Sequence, residues 1–211
     1  MKTEELARRL SSHGPPMRRA SPRGPEEADW PRGDHDLNPD LYDPEQSLTG
    51  AAVLVPIVER RPDLTVLLTQ RTDHLNDHAG QISFPGGRID PGDPDAAAAA
   101  LRETEEEIGL PARHVSMIGR LDTYVTRTGF EVVPWVGLLR PPFPIEPDSF
   151  EVAEVFEVPL GFILDPANRE THGRHYQGKE RLFYVFRYGD RYIWGATAGM
   201  LVNLAEVLAG S

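Results

Sequence analysis

The sequence predicts an α/β domain, a mixed sheet flanked by helices. Three observations carry this. Short β-type runs rich in valine and leucine recur between Leu48 and Trp194. One long helix signal, "AAAAALRETEEEI", interrupts them, and an amphipathic helix, "TAGMLVNLAEVLAG", follows the last of them. Strands before, between and after helices make a mixed sheet the natural arrangement.

Residues 1–45 differ in texture from the rest. "TEELARRL" predicts one short helix with Thr3 as its cap. The stretch that follows, from "GPPMRR" to "DLYDP", is rich in proline and charge and poor in aliphatics. Such a segment cannot bury enough surface to offset chain entropy unless it lies along the domain. A partly disordered extension is expected, with Trp30, Leu41 and Tyr42 as the side chains that would dock.

Residues 46–211 make up the domain. "AAVLVPIV" and "LTVLLTQR" predict two strands joined by a turn in "ERRPDL". A long loop follows, crowded with glycine and proline between Pro85 and Gly92. The alanine–glutamate helix has no proline or glycine inside it. Asp95 is placed to cap its start and Gly109 to end it. "VSMIGRLDTYVT" and "GFEVVPWVGLL" predict strands. "SFEVAEVFEVPLGFIL" is expected to start as a helix or irregular turn and to end in a helix. "THGRH" reads as a polar loop, and "RLFYVFRYGDRYIWG" as two strands around a Gly-Asp turn. There is no internal repeat.

Composition narrows the function. The absence of cysteine removes disulfides, thiolate metal sites and cysteine nucleophiles. A net charge of −11 argues against a nucleic-acid partner, which needs basic surface. No run of about 18 apolar residues is present, so no membrane span is expected. The first residues lack the apolar region of a secretory signal, and a cytoplasmic location is expected.

The segment "RETEEEIGL" holds four glutamates, Glu103, Glu105, Glu106 and Glu107. At about 100° per residue, Glu103, Glu106 and Glu107 share one helix face. Like charges at that spacing weaken a helix. Two readings are open: a solvated acidic face, or a site for a hard divalent cation held by carboxylate oxygens. The adjacent glycines Gly86 and Gly87 favour the cation site, because backbone groups there can approach a ligand without side-chain obstruction.

Gly87, Asp93 and "RETEEEIGL" together resemble the Nudix box. Arg102, Glu103, Glu106, Glu107, Gly109 and Leu110 match it. Asp93 stands where a glutamate is usual, one extra residue separates it from Arg102, and Thr104 replaces an aliphatic. The preceding stretch, Leu67 to Gly87, is similar to the additional motif of the coenzyme A pyrophosphatase branch, with Asn76 where many members carry arginine.

That resemblance implies an α/β/α sandwich and a Mg²⁺- or Mn²⁺-dependent pyrophosphohydrolase. The implied substrate is a small nucleotide, coenzyme A or a derivative, cleaved to 3′,5′-ADP and 4′-phosphopantetheine. The alternatives are another diphosphate (ADP-ribose, a dinucleotide or a nucleoside triphosphate) or a non-catalytic nucleotide-sensing domain. Metal ligands would be Glu103, Glu106, Glu107 and Gly87. Glu106, Arg102 and Glu151 would carry catalysis, with Arg102 orienting the glutamates and Glu151 orienting or deprotonating water; Glu154 and Glu157 compete with Glu151. Arg71, His78, Gly86 and Phe84 would face the substrate; packing of the loop by Phe84 and Pro85 is the other reading. His74 and His78 are four apart, a spacing that on a helix could bind metal, but the surrounding loop and the oxygen ligands of the family argue against it. His172 and His175 read as surface residues, with substrate contact the alternative. Trp135 and Trp194 read as core or subunit-interface residues, which leaves a homodimer open.

Overall fold

The structure is a computed structural model that describes residues 1–12, 31–74, 79–176 and 178–210. The elements in chain order are α1 (Thr3–Ser12), β1 (Arg32–Gly33), β2 (Thr49–Glu59), β3 (Leu64–Arg71), β4 (Ile82–Ser83), β5 (Gly86–Arg88), α2 (Ala96–Ile108), β6 (Val115–Arg120), β7 (Tyr124–Val125), β8 (Phe130–Leu139), β9 (Val152–Pro159), α3 (Leu160–Leu164), β10 (Arg169–Tyr176), β11 (Lys179–Tyr188), β12 (Arg191–Trp194) and α4 (Ala196–Ala209).

Among the described residues the main sheet has nine strands, with β1-β7-β8-β2-β3-β4 as its path. β2 runs parallel to β8, and β1 to β7, while β3 pairs antiparallel with β2 and β9. The sheet is therefore mixed. A second, antiparallel sheet joins β10, β11 and β12.

Strand side chains alternate between faces, and β2 uses both. Ala52 and Leu54 pack with Ala99 and Ala100 of α2. Ala51, Val55 and Ile57 join the larger cluster on the other side, with Leu6 and Leu10 of α1 and Leu201 and Leu204 of α4. Helices thus cover both faces, giving an α/β/α arrangement. The small alanines let α2 sit close to the sheet.

Several elements differ from expectation. Between the turn at residues 149–151 and the helix that begins at Leu160, both as expected, "VAEVFEVP" is strand β9, with Val152, Phe156 and Val158 buried. "THGRH" lies inside strand β10. α4 is buried without interruption from Thr197 to Leu204, more than two turns, so it is enclosed on all sides. Its Asn203 is satisfied by the Asp122 backbone N–H at 3.0 Å and by Asp122 Oδ2 at 2.9 Å.

The described parts of residues 1–45 pack on the body. Leu6 and Leu10 are fully buried. Arg32, 6% exposed, donates to Asp122 at 3.2 Å and also reaches Glu206 of α4. Tyr42 meets the His35 ring at 4.9 Å, and Leu41 closes a single 3₁₀ turn. Trp30 lies outside the described residues. Among the described residues no helix is long and apolar enough to cross a membrane.

Candidate active site

The acidic helix α2 is fixed at both ends. Asp95 accepts from the Ala98 N–H at 2.8 Å, and Gly109 ends the helix in the left-handed region at φ 64°. Beyond it, the loop before β9 folds back on the last turn. Glu146 N–H donates to Ile108 O at 2.8 Å and Asp148 N–H to Glu107 O at 2.9 Å. Glu151 is thereby brought to the end of α2 that carries Glu107.

The two glycines lie on β5, paired with β2 through Val53↔Gly86 and Ala52↔Gly87. A Cβ at Gly86 would meet the Ala52 carbonyl oxygen at 2.4 Å. One at Gly87 would meet the Glu103 carboxylate carbon at 2.6 Å. Bare backbone therefore lies directly against the Glu103 carboxylate.

Glu107 is buried at 7% exposure. It accepts from the Gly86 N–H at 3.2 Å, and Arg71 Nη1 stands 3.7 Å away. Burial pushes its carboxyl up to about 7; Gly86 and Arg71 oppose the rise, and the charges of Glu103 and Glu151 add to it. Burial also raises the half-buried Glu103, against the pull of Arg102. Glu106 is more open, its side chain 60% exposed. Glu105 points to solvent.

Arg102 organises these acids. Its Nη1 lies 2.9 Å from Glu103 Oε1 and 3.0 Å from Glu106 Oε2. Its Nε and Nη2 each bond Asp93 at 3.0 Å, and Nη2 also donates to Arg88 O at 3.1 Å. Thr104, at the position where an aliphatic is usual, is fully buried and donates to Ala100 O at 2.6 Å. Its hydroxyl is satisfied within the helix, so the core tolerates it.

Of the three candidate bases in the later region, two are engaged by arginines. Glu154 pairs with Arg191, whose guanidinium lies 4.1 Å from the Phe156 ring centroid. Glu157 takes Arg60 at 2.6 Å and the Thr65 hydroxyl at 2.6 Å. Glu151 is the one whose charge acts on Glu107.

Phe84 is only 2% exposed and belongs to the main core cluster. It packs the loop from inside, the second of the two readings its place before the glycines allows, and the reading that it faces a substrate is corrected. His78 and Asn76 lie outside the described residues. His172 sits on β10, bonded to Glu170 at 2.5 Å and to the Tyr192 hydroxyl at 2.9 Å. Trp135 is half-buried, and Trp194 is 37% exposed on β12.

Among the described residues no three acidic or histidine side chains converge closely enough to ligate one ion. Arg102 draws Glu103 and Glu106 towards itself, while Gly86 holds Glu107. The donors nonetheless suit a hard divalent cation. They are carboxylate oxygens with lone pairs to spare, and burial already disfavours the charge of Glu103 and Glu107. A cation between Glu103 and Glu107 would favour the ionised form of both.

A Gly-Gly strand set against a buried glutamate of an arginine-bridged acidic helix, all on a mixed sheet, defines a carboxylate-lined α/β site. The NUDIX domain family profile matches residues 48–177. A protein named "Uncharacterized Nudix hydrolase NudL" from Yersinia pestis (strain Pestoides F) is 42% identical over 156 residues, covering 74% of this chain and 78% of that protein. Its namesake from Yersinia pseudotuberculosis (serotype O:1b) matches to the same extent. The crystal structure of a C. elegans Ap4A hydrolase binary complex is similar at 24% identity and TM-score 0.46, covering 53% of this chain and 80% of that one. The chain belongs to the Nudix family, whose members hydrolyse nucleoside diphosphate derivatives, generally with divalent metal ions.

Proposed function

We propose that this protein hydrolyses the diphosphate of coenzyme A or a coenzyme A derivative, giving 3′,5′-ADP and 4′-phosphopantetheine. One observation carries the reading. Glu107, from the Nudix box, is buried between Gly86 and Arg71, both from the Leu67–Gly87 motif that resembles the coenzyme A branch. The segment that suggests the substrate therefore meets the segment that suggests the chemistry at one carboxylate.

Glu103, Glu106, Glu107 and the Gly87 carbonyl are the proposed ligands of Mg²⁺ or Mn²⁺. When bound, the ion neutralises diphosphate charge and makes hydroxide available near neutral pH. The chain's own residues do the rest. Arg102 holds Glu103 and Glu106 in register and stays charged throughout. Arg71 carries a buried Nε with no hydrogen-bond partner among the described residues, a donor available to a phosphate oxygen. Glu151 orients the attacking water and takes its proton. Water oxygen joins one phosphorus, the bridging P–O bond breaks, and each half leaves as a phosphate monoester.

The test is Glu106→Gln, assayed with and without added Mg²⁺. Turnover is expected to fall by about 10³-fold or more while the folded circular dichroism spectrum is retained. Near-normal turnover in that variant would remove the carboxylate assignment.

A further inference from the structure

Phe150 is 64% exposed, more than any other large hydrophobic side chain among the described residues. It stands directly before Glu151, in the turn that leads into β9. That turn is not loose. The Phe150 N–H donates to Asp148 Oδ1 at 2.8 Å, and the Phe150 carbonyl accepts from the Thr72 hydroxyl at 2.8 Å. Thr72 N–H donates to the Glu151 carbonyl at 3.0 Å. Thr72 itself is buried and follows Arg71, the arginine 3.7 Å from Glu107.

The backbone is thus clamped to the wall of the carboxylate site while the ring is kept out of the core. The His74 ring lies 4.9 Å from the Phe150 ring, tilted by 59°. It braces the phenyl ring yet leaves it open to solvent. Exposing a phenyl ring forgoes the gain from burying it. Two segments, 71–74 and 148–151, are spent on holding it there.

A flat aromatic surface on a fixed turn beside diphosphate-handling groups matches a flat π-system tethered to a diphosphate. A nucleobase has that chemistry, and base–aromatic stacking is strong and tolerant of base identity. A flexible pantetheine arm offers no ring face to stack. We infer that Phe150, braced by His74, is the stacking platform for the nucleobase of the substrate. The inference rests on the proposed function, which sets the diphosphate at Glu103 and Glu107. It assigns the nucleotide half of the substrate to the β3–β9 side of the carboxylate site. The platform selects base-bearing over base-free diphosphates.

The experiment is calorimetric binding of ADP and of inorganic pyrophosphate, each with Mg²⁺, to wild type, Phe150→Leu and Phe150→Tyr. Phe150→Leu is expected to weaken ADP by about tenfold and to leave pyrophosphate unchanged, since stacking is lost but phosphate contacts are not. Phe150→Tyr is expected to retain ADP affinity. In turnover, Phe150→Leu is expected to raise KM with little change in kcat. An unchanged ADP affinity in Phe150→Leu, or equal weakening of both ligands, would overturn the platform while leaving the hydrolase reading intact. A wild-type protein that binds neither ligand and cleaves no diphosphate would overturn the functional reading, and the inference with it.

Discussion

Arg102 grips Asp93 with two parallel hydrogen bonds, Nε to Oδ1 and Nη2 to Oδ2, each 3.0 Å. Asp93 is itself set by the Asp90 N–H at 2.8 Å, and Arg102 together with that N–H holds its carboxyl below the usual range. This fork fixes the guanidinium plane and leaves Nη1 for Glu103 and Glu106. The shorter acid and the additional residue before Arg102 are accommodated together.

Asp93→Asn is therefore expected to lower kcat/KM by about 10- to 100-fold, the usual cost of losing a group that orients metal-binding residues. Steady-state kinetics at saturating Mg²⁺ checks this. An unchanged kcat/KM would mean that Arg102 keeps its place without the clamp.

Gly87→Ala places a methyl group 2.6 to 2.7 Å from the three terminal atoms of Glu103. The carboxylate must swing away, whereas the short β5–β2 ladder can persist. Activity is expected to fall by about 10²-fold, as for other displacements of about 1 Å in a reacting site. Wild-type activity in this variant would show that Glu103 need not stay where it is.

Glu107 makes stability depend on pH in the metal-free protein. Its folded carboxyl titrates at about 7, above the ordinary value of 4.5. The folded state therefore holds a proton that the unfolded state has released. Its contribution to stability is fully present below about pH 4.5 and is lost as pH rises through about 7. Glu107→Gln, which stays neutral, should flatten that window, so the melting-temperature advantage of the variant over wild type should grow from pH 5 to pH 8. A constant difference across the range would contradict the buried, under-compensated carboxylate. Metal affinity should move the opposite way, rising with pH as Glu107 ionises.

Much of this was legible in the sequence because it rests on local physics. Asp95 and Gly109 mark the ends of α2 through capping chemistry that any helix needs. The glycine pair and the glutamate spacing announce close backbone approach and a shared face. β9 is hard to read from sequence because glutamates at Glu151, Glu154 and Glu157 obscure the period-two burial of Phe156 and Val158. β10 does not read as a strand because it is largely polar and, among the described residues, pairs with β11 alone. The choice among the three later glutamates had no sequence signal. It depends on Arg191, 37 residues from Glu154, and on Arg60, 97 residues from Glu157. Phe84 illustrates the opposite case, a residue in a functional motif whose work is packing.

The central claim is cleavage of a coenzyme A diphosphate at the carboxylate site. The most direct test is turnover with Mg²⁺ or Mn²⁺ against coenzyme A, acetyl-coenzyme A, ADP-ribose, NADH and dNTPs, with products identified by mass spectrometry. The account predicts 3′,5′-ADP from coenzyme A or its acyl derivative far faster than any product from the others. Faster cleavage of ADP-ribose, NADH or a dNTP would contradict the coenzyme A assignment, and silence across the panel would contradict the hydrolase reading itself.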